Sequence, residues 1–262
     1  MISYNIGIIG GGNLGRSIAI GLLHSKKISP QNITITRRKT HLIEDLKADG
    51  MNVSSTNKDA VDGAKVIIVA VKPHQVENVI KEIKPLLHKE QVLISVVTGV
   101  KIEQIQNYAG NSIAIYRAMP NTAIAIRESM TCIATRNGNA DQKDIVFSIF
   151  DQLGKTVKID EELMDASTVL AACGIAYALR FIRAASQGGI EIGFDSATAQ
   201  LIASQTVRGA AGLLIEGGKH PEYEIDKVTT PMGCTIAGLN EMEHQGFSSS
   251  LIKGIITSYN SI

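Results

Sequence analysis

Cysteine is scarce. Cys132, Cys173 and Cys234 are the only three in 262 residues, and none neighbours another. An odd, scattered set forms neither a disulfide framework nor a zinc cluster, and it suits a reducing compartment. A net charge of one sign is missing too: 26 Lys plus Arg face 25 Asp plus Glu, a formal charge of +1. No global field therefore recruits nucleic acid or an anionic membrane. Long apolar runs are lacking. The longest uncharged apolar stretch, Val169 to Leu179, ends at Arg180 after 11 residues, whereas a membrane span needs about 18. The opening residues Met1 to Ile6 have neither the basic nor the apolar region of a signal peptide. These absences predict a soluble cytoplasmic protein without nucleic-acid or membrane partners. With 44% hydrophobic and 19% charged residues the composition is that of a globular chain, which excludes long disorder and collagen-like structure.

Residues 1–160 alternate between short β-rich runs and helical patterns. Asn5 to Ile9 and Asn32 to Thr36 are the first two strand candidates. Val66 to Val71 and Val92 to Val97 are continuous apolar runs with no polar alternation. Such runs suit central parallel strands covered on both faces. Ile113 to Arg117 follows, and Met130 to Ala134 and Lys155 to Ile159 add edge strands around a helix near Asp141 to Phe150. An amphipathic segment, Gln75 to Leu87, lies between two of the runs. The pattern predicts a doubly wound α/β sheet. From about residue 161 to 262 it turns all-helical. One long helix is expected over Glu161 to Gln187, stopped by Gly188-Gly189, and a second from an N-cap at Asp195 to Gly217-Gly218. Shorter helices follow near Pro221 to Val228, Cys234 to His244 and Phe247 to Tyr259. Ala, Ser and Gly dominate the two long helices, which suits a close-packed bundle within or between subunits. Charge divides at the same place, with a net +6 before residue 161 and −5 after it; a basic first half favours a polyphosphate ligand.

Gly10, Gly12 and Gly15 form G-x-G-x-x-G between the first strand and a helix from Leu14 to about Leu23. The first glycine serves the tight turn, the second the approach of a diphosphate, and the third close packing of helix on strand. Gly11, Asn13 and Leu14 complete the loop, whose free N–H groups suit phosphate. After the second strand comes Thr36-Arg37-Arg38-Lys39, with no carboxylate. NAD sites place an acid there for the ribose 2′-hydroxyl. Arginines instead clamp a 2′-phosphate, so NADP is the expected cofactor, with NAD possible and a solvated basic turn as the plain alternative.

Further segments are Ala70-Val71-Lys72-Pro73, Met119-Pro120-Asn121-Thr122, Asp165-Ala166, Gly174-Ile175-Ala176-Tyr177, His220-Pro221 and Val228-Thr229-Thr230-Pro231-Met232-Gly233-Cys234-Thr235-Ile236-Ala237-Gly238-Leu239. In order and spacing the chain resembles the pyrroline-5-carboxylate reductase family over essentially its whole length, and the last segment resembles that family's signature, T-S-P-G-G-T-T-I-A-G-L. The resemblance implies an NAD(P)H-binding Rossmann domain (1–160), a helical dimerisation and substrate domain (161–262), and assembly as a homodimer or a ring of dimers. It implies reduction of the cyclic imine 1-pyrroline-5-carboxylate to L-proline, the last step of proline biosynthesis. Thr230, Gly233, Cys234 and Thr235 would bind the substrate carboxylate, with Thr235 also near the ring nitrogen as the catalytic hydrogen-bonding group. Asn57, Ala70, Val71, Lys72, Pro73 and Asn121 would contact the cofactor. Taken alone, these residues serve equally as helix caps and turns.

The chain departs from the family at two places. Where the family carries S-G-S-G-P-A-Y in the long helix, Ala171 to Tyr177 reads A-A-C-G-I-A-Y. Ile175 in place of proline predicts a more regular helix. Met232 and Cys234 stand where the signature has a glycine and a small residue. Cys173 and Cys234 read as small apolar fillers. The departures mark either a reductase of another cyclic imine or the same activity with a repacked site. A non-catalytic NADP-sensing homologue is a third reading. Oxidation of β-hydroxy acids is disfavoured, because that class needs a lysine in the first long helix and none lies between Glu161 and Glu216.

Overall fold

A computed structural model describes residues 2–262. The buried apolar runs form the centre of an eight-stranded sheet: β1 (Asn5–Ile9), β2 (Ile33–Thr36), β3 (Asn52–Ser54), β4 (Ala64–Val69), β5 (Val92–Ser95), β6 (Ala114–Met119), β7 (Ser129–Thr135) and β8 (Gly154–Lys158). The order is β3-β2-β1-β4-β5-β6-β7-β8, and neighbours run parallel except β6 and β7. Around the sheet lie α1 (Asn13–Ser25), α2 (Glu44–Ala48), α3 (Val76–Ile83), α4 (Ile102–Ala109), α5 (Ala140–Phe150) and α6 (Met164–Ser167). Side chains alternate along each strand between two cores. Ile6, Ile8, Ile68 and Ile94 pack with Ile18, Leu22 and Phe150 of α1 and α5. Ile9, Ile67, Val69 and Leu93 pack with Ile80 and Ile105 of α3 and α4. Covering both faces makes apolar residues profitable at every strand position, at about 1.5–3 kcal/mol for each large side chain buried.

β3 was not expected. Its three residues, Asn-Val-Ser, have no apolar pattern, and backbone pairing with Thr34 to Thr36 makes it a strand. The Gln75 to Leu87 segment is α3 flanked by 3₁₀ turns at Pro73–Gln75 and Lys84–Leu86. Pro85 has no N–H to continue an α-helix and restricts the residue before it.

Residues up to Cys173 form one compact unit and Gly174–Ser261 a second. The first unit therefore runs past residue 160 and includes the opening turns of the long helical stretch. That stretch is not the regular helix expected from the loss of proline: between α6 and α7 (Gly174–Glu191), Thr168–Cys173 is a π-helical turn. The register shift has polar support rather than a proline. The Thr168 and Ser167 hydroxyls donate to the Met164 carbonyl at 2.9 and 2.8 Å, and the Asn121 side chain donates to the Ala171 carbonyl.

The second unit continues with α8 (Ser196–Gly217), α9 (Pro221–Val228), α10 (Cys234–His244) and α11 (Phe247–Tyr259). Gly188-Gly189 does not stop α7. A Cβ on Gly189 would stand 3.0 Å from that of Ala199 in α8, so this glycine serves a close helix crossing, and the turn falls at Gly193, φ +112°. Asp195 caps α8 as expected, accepting from the Ala197 and Thr198 amides. Its carboxyl lies below the usual range because the Thr198 hydroxyl and these amides favour the charged form.

Helices α7, α9, α10 and α11 bury no residue, and α8 buries only Ala199 and Ala203. Leu201 is 69%, Ile215 68% and Ile192 79% exposed. Apolar surface on this scale calls for a covering surface. The 31-residue stretch Glu161–Glu191 is also long and apolar enough to cross a bilayer by length and composition alone. Counting only uncharged runs missed it, because single charges such as Arg180 interrupt it.

Candidate active site

The chain order reverses between β1 and β4, and the loops leaving their carboxyl ends meet there. Ligands of open α/β sheets bind at such a point. Gly10 has φ +109°, and a Cβ on it would lie 2.4 Å from the Ala70 carbonyl oxygen. The Gly10 and Gly11 amides donate to the Thr36 carbonyl at 3.1 and 2.7 Å. A Cβ on Gly15 would lie 2.0 Å from the Gly10 carbonyl oxygen. Both glycines are thus required by the fold itself. Gly12 is different: it is extended (φ −78°, ψ −167°), and a Cβ there meets nothing within 4 Å. The chain has no packing use for its missing side chain, which leaves the space over the helix start open to a close approach.

Gly12 is also the N-cap of α1. No side chain caps it, and no acid lies in the first turn. The other capped helices differ: Asn139 caps α5, Asp195 α8 and His220 α9, each through a side-chain acceptor. A bare N-terminus leaves the N–H groups of Asn13, Leu14 and Gly15 without helical partners and with the positive end of the helix dipole.

At the end of β2, Arg37 is half-buried and its Nη1 donates to the Gly11 carbonyl at 2.7 Å. Arg38 is exposed, with no hydrogen-bond or ion-pair partner among the described residues. Asn57 accepts from the Thr36 hydroxyl and donates to Glu82, both at 2.9 Å. It lies beside the arginines, but its side chain already stitches β2 to α3.

Ala70 stays paired to β1 through its amide, 2.8 Å from the Ile9 carbonyl, and Val71, Lys72 and Pro73 turn away from β4. Lys72 is exposed, and its amide donates to the Gln75 side chain. Asn121 follows the end of β6. Its Oδ1 accepts from the Ala123 amide at 3.0 Å, and its Nδ2 donates to Ala171 at 3.2 Å.

Sequence reasoning missed an ionic cluster beneath this edge. Arg117 on β6 and Glu161 expose 3% and 7% of their side chains and lie 3.4 Å apart. Glu161 also accepts from the Ile102 amide at the start of α4 (2.6 Å) and lies 2.9 Å from Arg136. The signal was an arginine inside an otherwise apolar strand. Gly7 was missed as well: a Cβ there would stand 1.6 Å from the Ala60 carbonyl oxygen.

In the second unit the signature residues share one turn. The Gly233 amide donates to the Thr230 carbonyl at 2.9 Å, with Pro231 and Met232 between. Pro at the first central position and φ +59° at Met232 make a type II turn. That conformation explains why a glycine fits position 232. Met232 is fully exposed, at 102%. Gly233 is the N-cap of α10, extended, with no side-chain cap and no acid in the first turn. Its own Cβ would lie 2.5 Å from the Thr230 hydroxyl. Cys234 and Thr235 are exposed in the first turn of α10, so Cys234 is not the apolar filler expected. Cys132 is the buried cysteine, and burial pushes its thiol up. Among the described residues no group of acids, histidines and cysteines is able to hold a metal.

A sequence-family model described as "Pyrroline-5-carboxylate reductase dimerisation" matches residues 161–262, and one described as "NADP oxidoreductase coenzyme F420-dependent" matches 5–99. Pyrroline-5-carboxylate reductase 1 of Dictyostelium discoideum is 48% identical over 97% of this chain, which spans about half (48%) of that relative's length. Pyrroline-5-carboxylate reductase 2 of the same organism is 43% identical, with 97% and 90% of the two chains covered. Among solved structures, pyrroline carboxylate reductase from Plasmodium falciparum with NADP bound is similar at a TM-score of 0.88 and 25% identity, covering 100% of this chain and 97% of that one. The enzyme from Coxiella burnetii is similar at 0.89 and 29%, covering 99% and 97%. With a matching dimerisation model over residues 161–262 and a relative 43% identical that it covers to 90% of its length, the chain belongs to the pyrroline-5-carboxylate reductase family.

Proposed function

We propose that this chain reduces 1-pyrroline-5-carboxylate to L-proline with NADPH. Helix α11 behind Gly246 also starts without a cap or an acid, so position carries the reading: bare α1 starts behind Gly12 at the carboxyl edge of the sheet, and bare α10 behind Gly233 in the signature segment. One suits a diphosphate and the other a carboxylate, the two anions such a reaction brings together. The relatives' names and the NADP bound in the Plasmodium structure support the same choice.

In this reading residues 1–160 are the cofactor domain and 161–262 the dimerisation and substrate domain. The Gly10–Gly15 loop holds the diphosphate. Arg37 and Arg38 hold the 2′-phosphate, Asn57 borders the adenosine half, and Ala70 to Pro73 line the nicotinamide half. NADPH when bound supplies the hydride to the imine carbon, and the imine nitrogen gains a proton. Thr230, Gly233, Cys234 and Thr235 receive the substrate carboxylate through amides and hydroxyls, and Thr235 orients the ring nitrogen. A threonine hydroxyl is a poor acid near neutrality, so the substrate enters already protonated or takes its proton from water. Placement and electrostatics supply the acceleration. The partners are the imine and further copies of this chain, as a dimer or a ring of dimers in the cytoplasm, without membrane or nucleic acid.

A second reading, a reductase of a different cyclic imine, is favoured by Met232, which replaces the family's glycine in a left-handed conformation. One assay separates the two. Purified protein is mixed with NADPH and either 1-pyrroline-5-carboxylate or a six-membered imine carboxylate, and cofactor absorbance is followed. Turnover of the five-membered substrate, lost in Thr235→Ala, is expected. Turnover of the six-membered imine alone would move the assignment to the second reading, and NADPH binding without turnover would leave a sensor.

A further inference from the structure

We propose that Asn121 is a positioning residue: its carboxamide clamps the π-helical turn to the carboxyl end of β6 rather than holding the cofactor, and hydride transfer depends on that clamp. The inference rests on the reductase reading above.

The polar groups of Asn121 are engaged inside the chain. Its amide donates to the Ser129 hydroxyl at 3.1 Å, and its carbonyl accepts from Ile124 at 3.1 Å. Oδ1 accepts from Ala123 at 3.0 Å, and Nδ2 donates to Ala171 at 3.2 Å. These two partners fix the orientation of the carboxamide, because a flip would set NH₂ against N–H and oxygen against oxygen. One Nδ2 hydrogen and one Oδ1 lone pair remain, but the carboxamide's orientation is already set by its two internal partners.

The Nδ2 bond crosses 50 residues of sequence to reach Ala171. Ala171 lies within the π turn Thr168–Cys173, and its carbonyl accepts from this partner outside the helix. Ala171 and Ala172 rest on a buried cluster of Met119, Cys132, Ala134 and Met164, so the end of β6, β7 and the π turn pack as one body. Apolar contacts of this kind set a distance but no register; a directional hydrogen bond sets the register. Asn121 lies just beyond β6, at the carboxyl edge of the parallel sheet where the reduced ring is placed. Displacement of about an ångström there costs on the order of a hundredfold in rate.

The test uses Asn121→Ser and Asn121→Asp. Both keep a short acceptor for the Ala123 amide. Serine is too short to reach Ala171, and aspartate sets an oxygen against its carbonyl. NADPH affinity is read by the cofactor's fluorescence, kcat and KM at saturating NADPH, and folding by a thermal melt. In Asn121→Ser the NADPH Kd should stay within about threefold of wild type while kcat falls at least about tenfold, the signature of lost placement. Asn121→Asp should lower kcat further. A Kd raised tenfold with kcat unchanged would make the carboxamide a cofactor ligand and overturn the proposal. So would wild-type kinetics in Asn121→Ser, the variant that carries the test if the aspartate fails to fold. An inactive wild type would instead remove the reductase reading itself.

Discussion

Substituting alanine for Gly12 and for Gly15 should affect stability differently, and only the first should separate folding from cofactor binding. At Gly12 the backbone is ordinary extended chain, and the new methyl meets nothing within 4 Å. Alanine restricts the unfolded chain by about 0.4–1 kcal/mol, but it is a poorer N-cap than glycine by a similar amount, so the apoprotein's melting temperature should stay within about 2 °C of wild type. The same methyl projects where a diphosphate approaches the N–H groups of α1. Charge-assisted hydrogen bonds contribute about 1.5–3 kcal/mol each, so losing one should raise the NADPH Kd about 10- to 150-fold. At Gly15 the methyl would stand 2.0 Å from the Gly10 carbonyl oxygen. Overpacking of this kind costs about 1–3 kcal/mol and should lower the melting temperature and the affinity together. Melts at one fixed protein concentration and a fluorescence titration with NADPH read both effects. Wild-type affinity in Gly12→Ala would refute the placement of the diphosphate over this residue, and a melting temperature lowered as far as in Gly15→Ala would refute the claim that the added methyl meets no packing.

Three further outcomes follow from named contacts. Arg38→Ala should cut kcat/KM for NADPH relative to NADH by about tenfold or more, as one lost charged hydrogen bond requires; Arg37→Ala should add a loss shared by both cofactors, because its Nη1 also braces the Gly11 carbonyl. Met232→Gly should stabilise the fold by about 1 kcal/mol in a urea melt, since a non-glycine residue at φ +59° carries strain of about 1–3 kcal/mol, partly offset by glycine's entropy. Glu161→Gln should cost about 1–3 kcal/mol in the same melt, because it removes the carboxylate 3.4 Å from buried Arg117 and leaves only Asp165, 3.9 Å away and partly exposed, while the Ile102 amide keeps an acceptor.

What could be read from the sequence was whatever punctuation or composition marks locally. β1 and the three last helices fall on their expected residues, because Gly, Pro and polar caps bound them on both sides. The Gly10–Gly15 turn from β1 into α1 was legible for the same reason. Features that exist only through distant partners were not. β3 is polar and becomes a strand by pairing with β2. Gly188-Gly189 reads as a stop, yet Gly189 faces Ala199 and allows a close crossing. The π turn at Thr168–Cys173 has no proline to announce it, and its Ala171 carbonyl is met by Asn121, 50 residues earlier. The Arg117–Glu161 pair spans 44 residues. In the candidate site, sequence named the residues, and the structure adds which already have partners: Asn57 and Asn121 do, whereas Gly12 and Arg38 are left open.

The helical unit extends the same reasoning to the partner. Five helices that together bury only Ala199 and Ala203 have no core of their own, while Leu201, Ile192 and Ile215 each expose more than two thirds of their surface. Covering a large aliphatic side chain contributes about 1.5–3 kcal/mol, so a handful of such residues outweighs the stability of a typical domain, about 5–15 kcal/mol. Folding of this unit should therefore depend on protomer concentration, and the match of residues 161–262 to a dimerisation family supports a second copy of the chain as the covering surface. The melting temperature should rise with protein concentration without detergent. Leu201→Asp should shift the chain to monomer in size-exclusion chromatography with loss of turnover. A concentration-independent melt, or a Leu201→Asp monomer as stable and active as wild type, would show that the apolar faces are not what joins the subunits.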